Sequence, residues 1–212
     1  MKFKNEIFIT LTGAALLAAS VFSLVQTQMN ISLGLNQFHS NLLDYLCYFG
    51  THAGDGLFAI TLGFILLFIR FHSGVLVLLA YAFSSGLTQI LKRLVFADVH
   101  RPLWHLERLS DVMYYLPPGA EHVYNNSFPS GHTTTAFAIF SMLSFITENK
   151  VYKGLFFAAA IFVAFSRVYL LQHFLVDTMA GASVGLLFSI IIYFHLYQKS
   201  HLNFLVNLKL KK

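Results

Sequence analysis

The chain has 212 residues and a formal net charge of +5. Hydrophobic residues make up 57% of it and charged residues only 11%, whereas a soluble globular domain contains about 25% charged residues. So few charges cannot cover the apolar surface of a soluble domain, which excludes a cytosolic enzyme, a disordered chain and a collagen-like fibre. The thin spread of positive charge also argues against a nucleic-acid partner. We therefore expect an all-α integral membrane protein whose partner is the lipid bilayer.

Six stretches of the chain approach the length of about 20 predominantly apolar residues that a membrane span needs. In chain order they are 7–28, 56–69, 74–91, 132–147, 154–171 and 178–198. We expect six transmembrane helices within a single membrane domain covering 1–212. Its parts are an N-terminal helix over 7–28, a core over 50–198 and a basic cytoplasmic tail over 199–212.

The first apolar stretch also has features of a cleavable secretory signal, because Lys2 and Lys4 precede it. Its apolar character continues through Val21, Phe22 and Leu24, beyond the length of a typical signal core. The pattern therefore favours an uncleaved first helix.

The basic residues indicate which side of the membrane each loop faces, because Lys and Arg are enriched in cytoplasmic loops. With both termini inside, nine of the 14 basic residues are cytoplasmic, and seven of the nine acidic residues are outside. The nine are Lys2, Lys4, Arg70, Lys150, Lys153, Lys199, Lys209, Lys211 and Lys212. The long polar segment 92–130 is then extracytoplasmic. The basic residues left outside need another explanation, and ionisable groups near membrane spans are candidates for functional sites.

Three short segments at this outer face collect the unexpected polar groups. They read KRLVFADVHRP over 92–102, FPSGH over 128–132 and SRVYLLQHFLVD over 166–177. In the second segment, Pro129 and Gly131 set a turn into the fourth predicted helix, and Ser130 can cap that helix. The free backbone N–H groups of such a helix end attract anions, phosphate above all.

The histidines of these segments have the chemistry of a phosphoryl-transfer site. His173 and Asp177 are four residues apart, so a helix would place them on one face. A carboxylate bonded to one imidazole nitrogen makes the other nitrogen a better nucleophile. His132 lies beside the anion-binding helix end, where it can give or take a proton. Positive charge for a transferring phosphoryl group is available from Lys92, Arg101 and Arg167. None of these parts demands a metal or a cofactor.

These three segments resemble the signature of the type-2 phosphatidic acid phosphatase family, membrane lipid phosphatases related to vanadium haloperoxidases. That signature is Lys, six residues and Arg-Pro, then Pro-Ser-Gly-His, then Ser-Arg, five residues, His, three residues and Asp. The second and third elements match fully over 129–132 and 166–177. In the first, eight residues separate Lys92 from Arg101 and seven separate Arg93 from it. We take Lys92 as the phosphate ligand, with Arg93 as the alternative.

The resemblance implies a mechanism and a role for each matched residue. His173 attacks phosphorus to give a phosphohistidine, while Asp177 stabilises its developing positive charge. His132 protonates the leaving oxygen and later activates the water that frees phosphate. The nonbridging oxygens are held by Lys92, Arg101, Ser130, Gly131 and Arg167.

The implied substrate is a lipid phosphomonoester or diphosphate in the outer leaflet of the membrane. The compact size of the chain favours a bacterial inner membrane. Undecaprenyl diphosphate, phosphatidylglycerol phosphate, phosphatidic acid and lipid A phosphate all present the same terminal group. A lipid phosphotransferase of the same family is an alternative, as is, more remotely, a small transporter with an intramembrane relay. The sequence leaves the oligomeric state open.

The remaining candidates have simpler interpretations. The outer-loop His100, His105 and His122 lack a short metal-ligand spacing such as H-E-x-x-H, so we expect a solvated loop and no metal site. Gly181 and Gly185 predict close packing against a helix of the same chain or of a second copy. Five further histidines are interpreted as ordinary hydrogen-bonded residues: His39, His52, His72, His195 and His201.

Overall fold

A computed structural model describes residues 6–109, 112–117 and 120–198. Within these ranges all regular secondary structure is helical and there is no strand. The predicted tail 199–212, with His201, lies outside the described residues, as do Lys2 and Lys4. The α-helices of the described ranges are α1 (Glu6–Val25), α2 (Gln28–Asn36), α3 (Asn41–Gly50), α4 (Gly56–Ile69), α5 (Phe71–Ile90), α6 (Pro102–Leu106), α7 (Gly131–Ile146), α8 (Lys150–Tyr169) and α9 (Leu175–Ile192).

The membrane-spanning helices confirm the predicted all-α membrane class. Four helical segments of the described chain are long and apolar enough to cross a bilayer, namely Ile7–Val25, Phe71–Val95, Lys150–Tyr169 and Leu175–Leu196. A fifth span results if Asn41–Gly54 and Gly56–Ile69, which meet at a bend of 57°, count as one. Helix α7 is apolar but has 16 residues, about 24 Å against a hydrocarbon core of about 30 Å. The count of six spans is therefore not confirmed and stays a prediction.

Two short helices, α2 and α3, lie between the first two predicted spans, where hydropathy alone reveals no element. Thr27 caps α2 by accepting a hydrogen bond from the Asn30 N–H at 3.2 Å. Ser40 caps α3 by accepting one from the Leu43 N–H at 3.3 Å. Because α3 packs against α8 and continues into a 3₁₀ turn over Thr51–Gly54, it brings that turn to the same end of the bundle as the start of α7.

Helix α7 is the centre of the bundle. It packs against α5, α8 and α9, and its residues Thr133–Met142 are all buried. The N-terminal helix joins the same core, since the ring of Phe8 meets Phe137 of α7 edge-on at a centroid distance of 6.0 Å. Phe8 also meets Phe157 of α8 at 5.7 Å.

Glycines bring α9 into backbone contact with α7. A Cβ added to Gly181 would lie 2.6 Å from the carbonyl oxygen of Ser130, and one added to Gly185 would lie 2.4 Å from that of Thr134. The Ser189 hydroxyl crosses the same interface and donates to the Ala138 carbonyl at 2.7 Å. The neighbour of the predicted glycine pair is therefore a helix of the same chain.

We expect Gly185→Ala to lower the free energy of unfolding by about 1–3 kcal/mol, because overpacking forces the two backbones apart. Gly86→Ala in α5 is the matched control, since its Cβ would meet nothing within 4 Å. Alanine at such a helical position stabilises by about 0.5–1 kcal/mol relative to glycine. Thermal unfolding in detergent measures both variants, and equal melting temperatures would contradict the close packing.

Candidate active site

The three signature segments meet at one end of the bundle, around a cavity of about 300 Å³. The cavity lies between the end of α5, the start of α7 and the turn that joins α8 to α9. Six of the eight predicted site residues line it: Lys92, Arg101, Gly131, His132, Arg167 and His173. The other two, Ser130 and Asp177, are buried beside these residues and hydrogen-bonded to their neighbours.

His173 lies in the turn before α9, and Asp177 in the first turn of that helix. The expectation that one helix carries both residues on one face is therefore wrong, because α9 begins only at Leu175. The pair still meets, with 3.5 Å between the His173 Nδ1 and the Asp177 Oδ2. The same Oδ2 accepts hydrogen bonds from the Phe174 N–H at 2.9 Å and the Ser127 hydroxyl at 2.5 Å. Asp177 thus caps α9 and lies against the imidazole, whose buried Nδ1 has no hydrogen-bond partner among the described residues.

The His173 ring is almost completely buried, with 1% of its surface exposed. Burial lowers the pKa of His173 well below its ordinary value, and the positive charges of Arg101, Lys92 and Arg167 lower it further. The imidazole is therefore neutral at physiological pH. A neutral ring keeps a nitrogen lone pair that can attack an electrophile.

His132 occupies the first turn of α7, and its Nε2 lies 2.5 Å from the Oδ1 of Asp55. The other carboxylate oxygen of Asp55 lies 2.5 Å from the Nδ1 of His52. Asp55 was not singled out from the sequence, and His52 was interpreted as an ordinary histidine. The signal that could have found them is the pair of glycines around Asp55, Gly54 and Gly56, at a break between two helical segments.

Two of the predicted phosphate ligands hold the outer loop as well as facing the cavity. The Lys92 ammonium donates to the Asn126 carbonyl at 2.9 Å. The Arg101 guanidinium donates to the Asn125 carbonyl at 3.0 Å and to the Gln172 side-chain oxygen at 3.1 Å. These contacts leave donors of both cations for an anion in the cavity.

Of the two candidates for the first signature position, Lys92 is buried and lines the cavity. Arg93, the next residue along the chain, is exposed. The π-helical turn Leu91–Val95, which ends this span, therefore presents Lys92 to the site.

Arg167, near the end of α8, is 5% exposed. Its guanidinium donates to the Thr51 hydroxyl at 2.9 Å. Its Nε is buried, and within the described part of the chain it has no hydrogen-bond partner. An unsatisfied buried cationic donor is costly, and an anion in the cavity is the ligand that would compensate it.

Ser130 and Gly131 act through the start of α7. The Ser130 hydroxyl caps the helix, accepting from the Thr133 hydroxyl at 3.0 Å and from the Thr133 N–H at 3.5 Å. The Ser130 N–H donates to the backbone carbonyl of Asp177 at 3.0 Å, which joins α7 to α9. A Cβ at Gly131 would meet nothing within 4 Å, so the backbone there faces open space in the cavity.

The wall of the cavity also carries the carboxylates of Asp55 and Glu121. A second cavity of about 150 Å³ adjoins the first and shares Asp55, Glu121, His132 and Arg167 with it. Among the residues that the structure describes, no group of three or more His, Cys, Asp or Glu side chains is arranged to hold a metal ion.

The outer loop is fastened to α2 and α3 by polar contacts that the sequence does not reveal. The Asn36 amide donates to the Tyr115 carbonyl at 2.7 Å and accepts from the Tyr115 N–H at 2.8 Å. The Tyr115 hydroxyl donates to the buried Asp44 carboxylate at 2.6 Å, and the Tyr169 hydroxyl donates to its other oxygen. The loop is thereby tied to the end of α8, next to Arg167.

The chain belongs to the PAP2 superfamily, whose model matches residues 73–201. The matched residues contain all three signature segments, and the resemblance found in the sequence is therefore confirmed.

Two curated relatives match part of the chain. Lipid A 1-phosphatase of Rhizobium johnstonii is 34% identical over 79 residues, 37% of this chain and 32% of that protein. Lipid A 4′-phosphatase of Porphyromonas gingivalis is 35% identical over 74 residues, 34% of this chain and 31% of that protein. The chain thus matches about a third of the length of these curated relatives.

Two crystal structures share the fold. LpxE of Aquifex aeolicus superposes with a TM-score of 0.67 at 27% identity, covering 77% of this chain and 92% of that one. A transmembrane PAP2-type phosphatidylglycerolphosphate phosphatase of Bacillus subtilis gives a TM-score of 0.66 at 23% identity, covering 94% and 99%. Together with the apolar helices, these likenesses show a bacterial integral membrane protein.

We expect Thr51→Val to weaken the site, because it removes the hydroxyl that accepts from Arg167 and leaves a second buried cationic donor without a partner. Hydrogen bonds to charged groups contribute about 1.5–3 kcal/mol, so the melting temperature in detergent should fall. Thr51→Ser keeps the hydroxyl and is the matched control. A melting temperature unchanged in Thr51→Val would show that this hydrogen bond does not stabilise the fold.

Proposed function

We propose that this protein is a membrane lipid-phosphate phosphatase that works through a phosphohistidine intermediate and needs no metal ion. The observation that carries the proposal is the placement of His173. Its neutral, buried ring lies beside Asp177 and lines a cavity that carries the cations Lys92, Arg101 and Arg167. A nucleophile without charge, facing a pocket that attracts a phosphoryl group, suits in-line attack on phosphorus.

His173 attacks phosphorus while the bond to the lipid oxygen breaks. Asp177 stabilises the imidazolium that forms, and the Ser127 hydroxyl and the Phe174 N–H keep its carboxylate in place. His132 gives its proton to the leaving oxygen. It then takes a proton from water, and the hydroxide attacks the phosphohistidine and frees phosphate. The proton given in the first step is recovered in the second.

The nonbridging oxygens are held by charge and by backbone donors. Lys92, Arg101 and Arg167 surround the cavity and balance the charge that builds up in the transition state. The backbone N–H of Gly131, at the N-terminal end of α7, adds a donor where the helix dipole is positive. Ser130 contributes by capping that helix end.

The substrate presents a terminal phosphate to this pocket while its acyl chains stay in the membrane. The similarity to lipid A 1- and 4′-phosphatases makes lipid A phosphate the first substrate to test. Undecaprenyl diphosphate, phosphatidylglycerol phosphate and phosphatidic acid complete the panel, because the cavity residues contact the phosphoryl group that all four share.

The active site faces the periplasmic side of the inner membrane, with both termini in the cytoplasm and the region 50–198 forming the catalytic core. This orientation rests on the distribution of charge, since nine of the 14 basic residues then lie inside. The arrangement of the helices is compatible with it. The cavity lies where α7 and α9 begin, whereas α9 ends at the opposite end of the bundle.

The test is phosphate release from the four lipids by the detergent-solubilised protein. We expect His173→Ala to fall to the rate without enzyme, because no nucleophile remains. We expect His132→Ala to fall by about 10²–10⁴-fold, the usual contribution of a general acid or base. His195→Ala is the control, since this ring is exposed and, among the described residues, bonds to the Ile191 carbonyl one turn earlier. The wild-type rate should persist in excess chelator.

A wild-type rate in His173→Ala would exclude the phosphohistidine mechanism, and loss of activity in chelator would exclude the metal-independent one. The same assay with acceptor lipids separates hydrolysis from phosphotransfer, because a transferase would yield a phosphorylated acceptor in place of free phosphate. Flux through liposomes without hydrolysis would favour the transporter instead.

A further inference from the structure

A histidine–aspartate–histidine chain leads from the surface to the candidate active site. His52 contacts one oxygen of Asp55 and His132 contacts the other, both at 2.5 Å. The His52 side chain is 56% exposed, whereas those of Asp55 and His132 are 32% and 30% exposed. Asp55 is therefore the second carboxylate in the site that contacts a histidine on the cavity wall, after Asp177.

The backbone around Asp55 is built to hold this contact. A Cβ at Gly54 would lie 2.6 Å from the carbonyl oxygen of His132, and a Cβ at Gly56 would lie 2.3 Å from the Tyr81 hydroxyl. Only glycines let the segment approach α7 and α5 so closely. The segment also carries Thr51, which binds Arg167. The carboxylate is thus placed by a fitted segment of backbone, which distinguishes it from a chance surface ion pair.

Neither the signature nor the family match includes this segment. The matched residues begin at 73, and the first signature segment begins at Lys92. A role for Asp55 therefore has to be argued from its geometry.

We propose that Asp55 is a positioning residue for His132, holding its ring through Nε2 and stabilising its protonated form. With Nε2 bonded to a carboxylate, Nδ1 is the nitrogen left to give its proton to the leaving oxygen. His52 fixes the Asp55 carboxylate from its solvent-exposed side. The role rests on the proposed phosphatase function, in which His132 is the general acid.

The proton balance sets what the carboxylate must do. His132 enters the first step as an imidazolium, loses the Nδ1 proton as the phosphorus–oxygen bond breaks, and regains it from water in the second step. Asp55 keeps its negative charge throughout and stabilises the imidazolium at the start and end of the cycle. No net proton has to pass from His132 through Asp55 to His52, so His52 is required only to hold the Asp55 carboxylate in place.

Other charged groups line the cavity around His132 and also affect how its protonation depends on pH. They are Lys92 from the end of α5, Arg101 and Glu121 from the outer loop, Arg167 from α8, and His173 from the turn before α9. Burial opposes protonation of His132, as do the cations, and the Asp55 carboxylate in contact with its ring supports it.

The test is the pH dependence of kcat for Asp55→Asn. A general acid must be protonated, so kcat falls as the pH rises above the pKa of that acid. This fall is the alkaline limb of the pH profile. Removing the nearby carboxylate should move that alkaline limb to lower pH by about one unit or more. Above the limb, kcat should therefore fall by about 10-fold, with KM changing less than about 3-fold. Asp55→Glu should return the limb part of the way toward its wild-type position. His52→Gln should move the limb to lower pH, as Asp55→Asn does, but by a smaller amount.

Glu121→Gln is the matched control, because this carboxylate lines the same cavity but Asp55 is the one in contact with His132. Its alkaline limb should stay where it is in the wild type. A limb unchanged in Asp55→Asn, or a loss of kcat by one factor at every pH, would overturn the positioning role. The second result would indicate a structural role only.

A measurement without turnover separates this inference from the proposed function. Nitrogen NMR of histidine-labelled protein in detergent follows the titration of the His132 ring, assigned by its absence in His132→Gln. Its midpoint should be lower in Asp55→Asn than in the wild type, and an equal midpoint would overturn the inference whatever the activity. A wild-type protein that releases phosphate from none of the four lipids would overturn the proposed function instead.

Discussion

The backbone contact between α7 and α9 is the constraint on which the site depends. Gly181 and Gly185 let α9 approach α7 so closely that the Ser130 N–H bonds the Asp177 carbonyl. This contact brings the N-terminal end of α7, with His132, beside the turn that carries His173. Larger residues at the glycines would separate an anion-binding helix end from its nucleophile. Side-chain substitutions within the cavity could not restore that geometry, because it is set by the distance between two helix axes.

Burial of positive charge is the second constraint on the site. Arg167 and Lys92 are almost fully buried, and Arg167 keeps a buried Nε without a partner among the described residues. Such groups cost stability in the empty protein and favour an anionic ligand, because the ligand supplies the charge that the protein lacks. Burial lowers the pKa of His173, and the same cations lower it further, so the ring is neutral. The cations that attract the substrate therefore also help to keep the nucleophile neutral.

Part of this arrangement was predictable from the sequence because it depends on local patterns. Long apolar stretches predict the helices, and the spacing of residues such as Arg167, His173 and Asp177 predicts that they belong to one site. The prediction that one helix places His173 and Asp177 on the same face was wrong, because spacing does not show where a helix begins. Helices α2 and α3 are too short for hydropathy to detect. The number of membrane crossings stays a prediction, since α7 is shorter than a full span and the segment around Asp55 is bent by 57°.

By itself, the sequence determined the membrane class, the family and the residues of the three signature segments. Composition and short spacings can be read directly from the order of the residues. The tertiary structure alone decided which groups outside those segments reach the site. Asp55 lies 2.5 Å from His132 although 76 residues separate their positions in the chain. Ser127 supports Asp177 from 50 positions away in the chain, and Thr51 holds Arg167 from 116 positions away. Contacts of this kind follow from how helices pack, and no local pattern encodes the packing of distant segments.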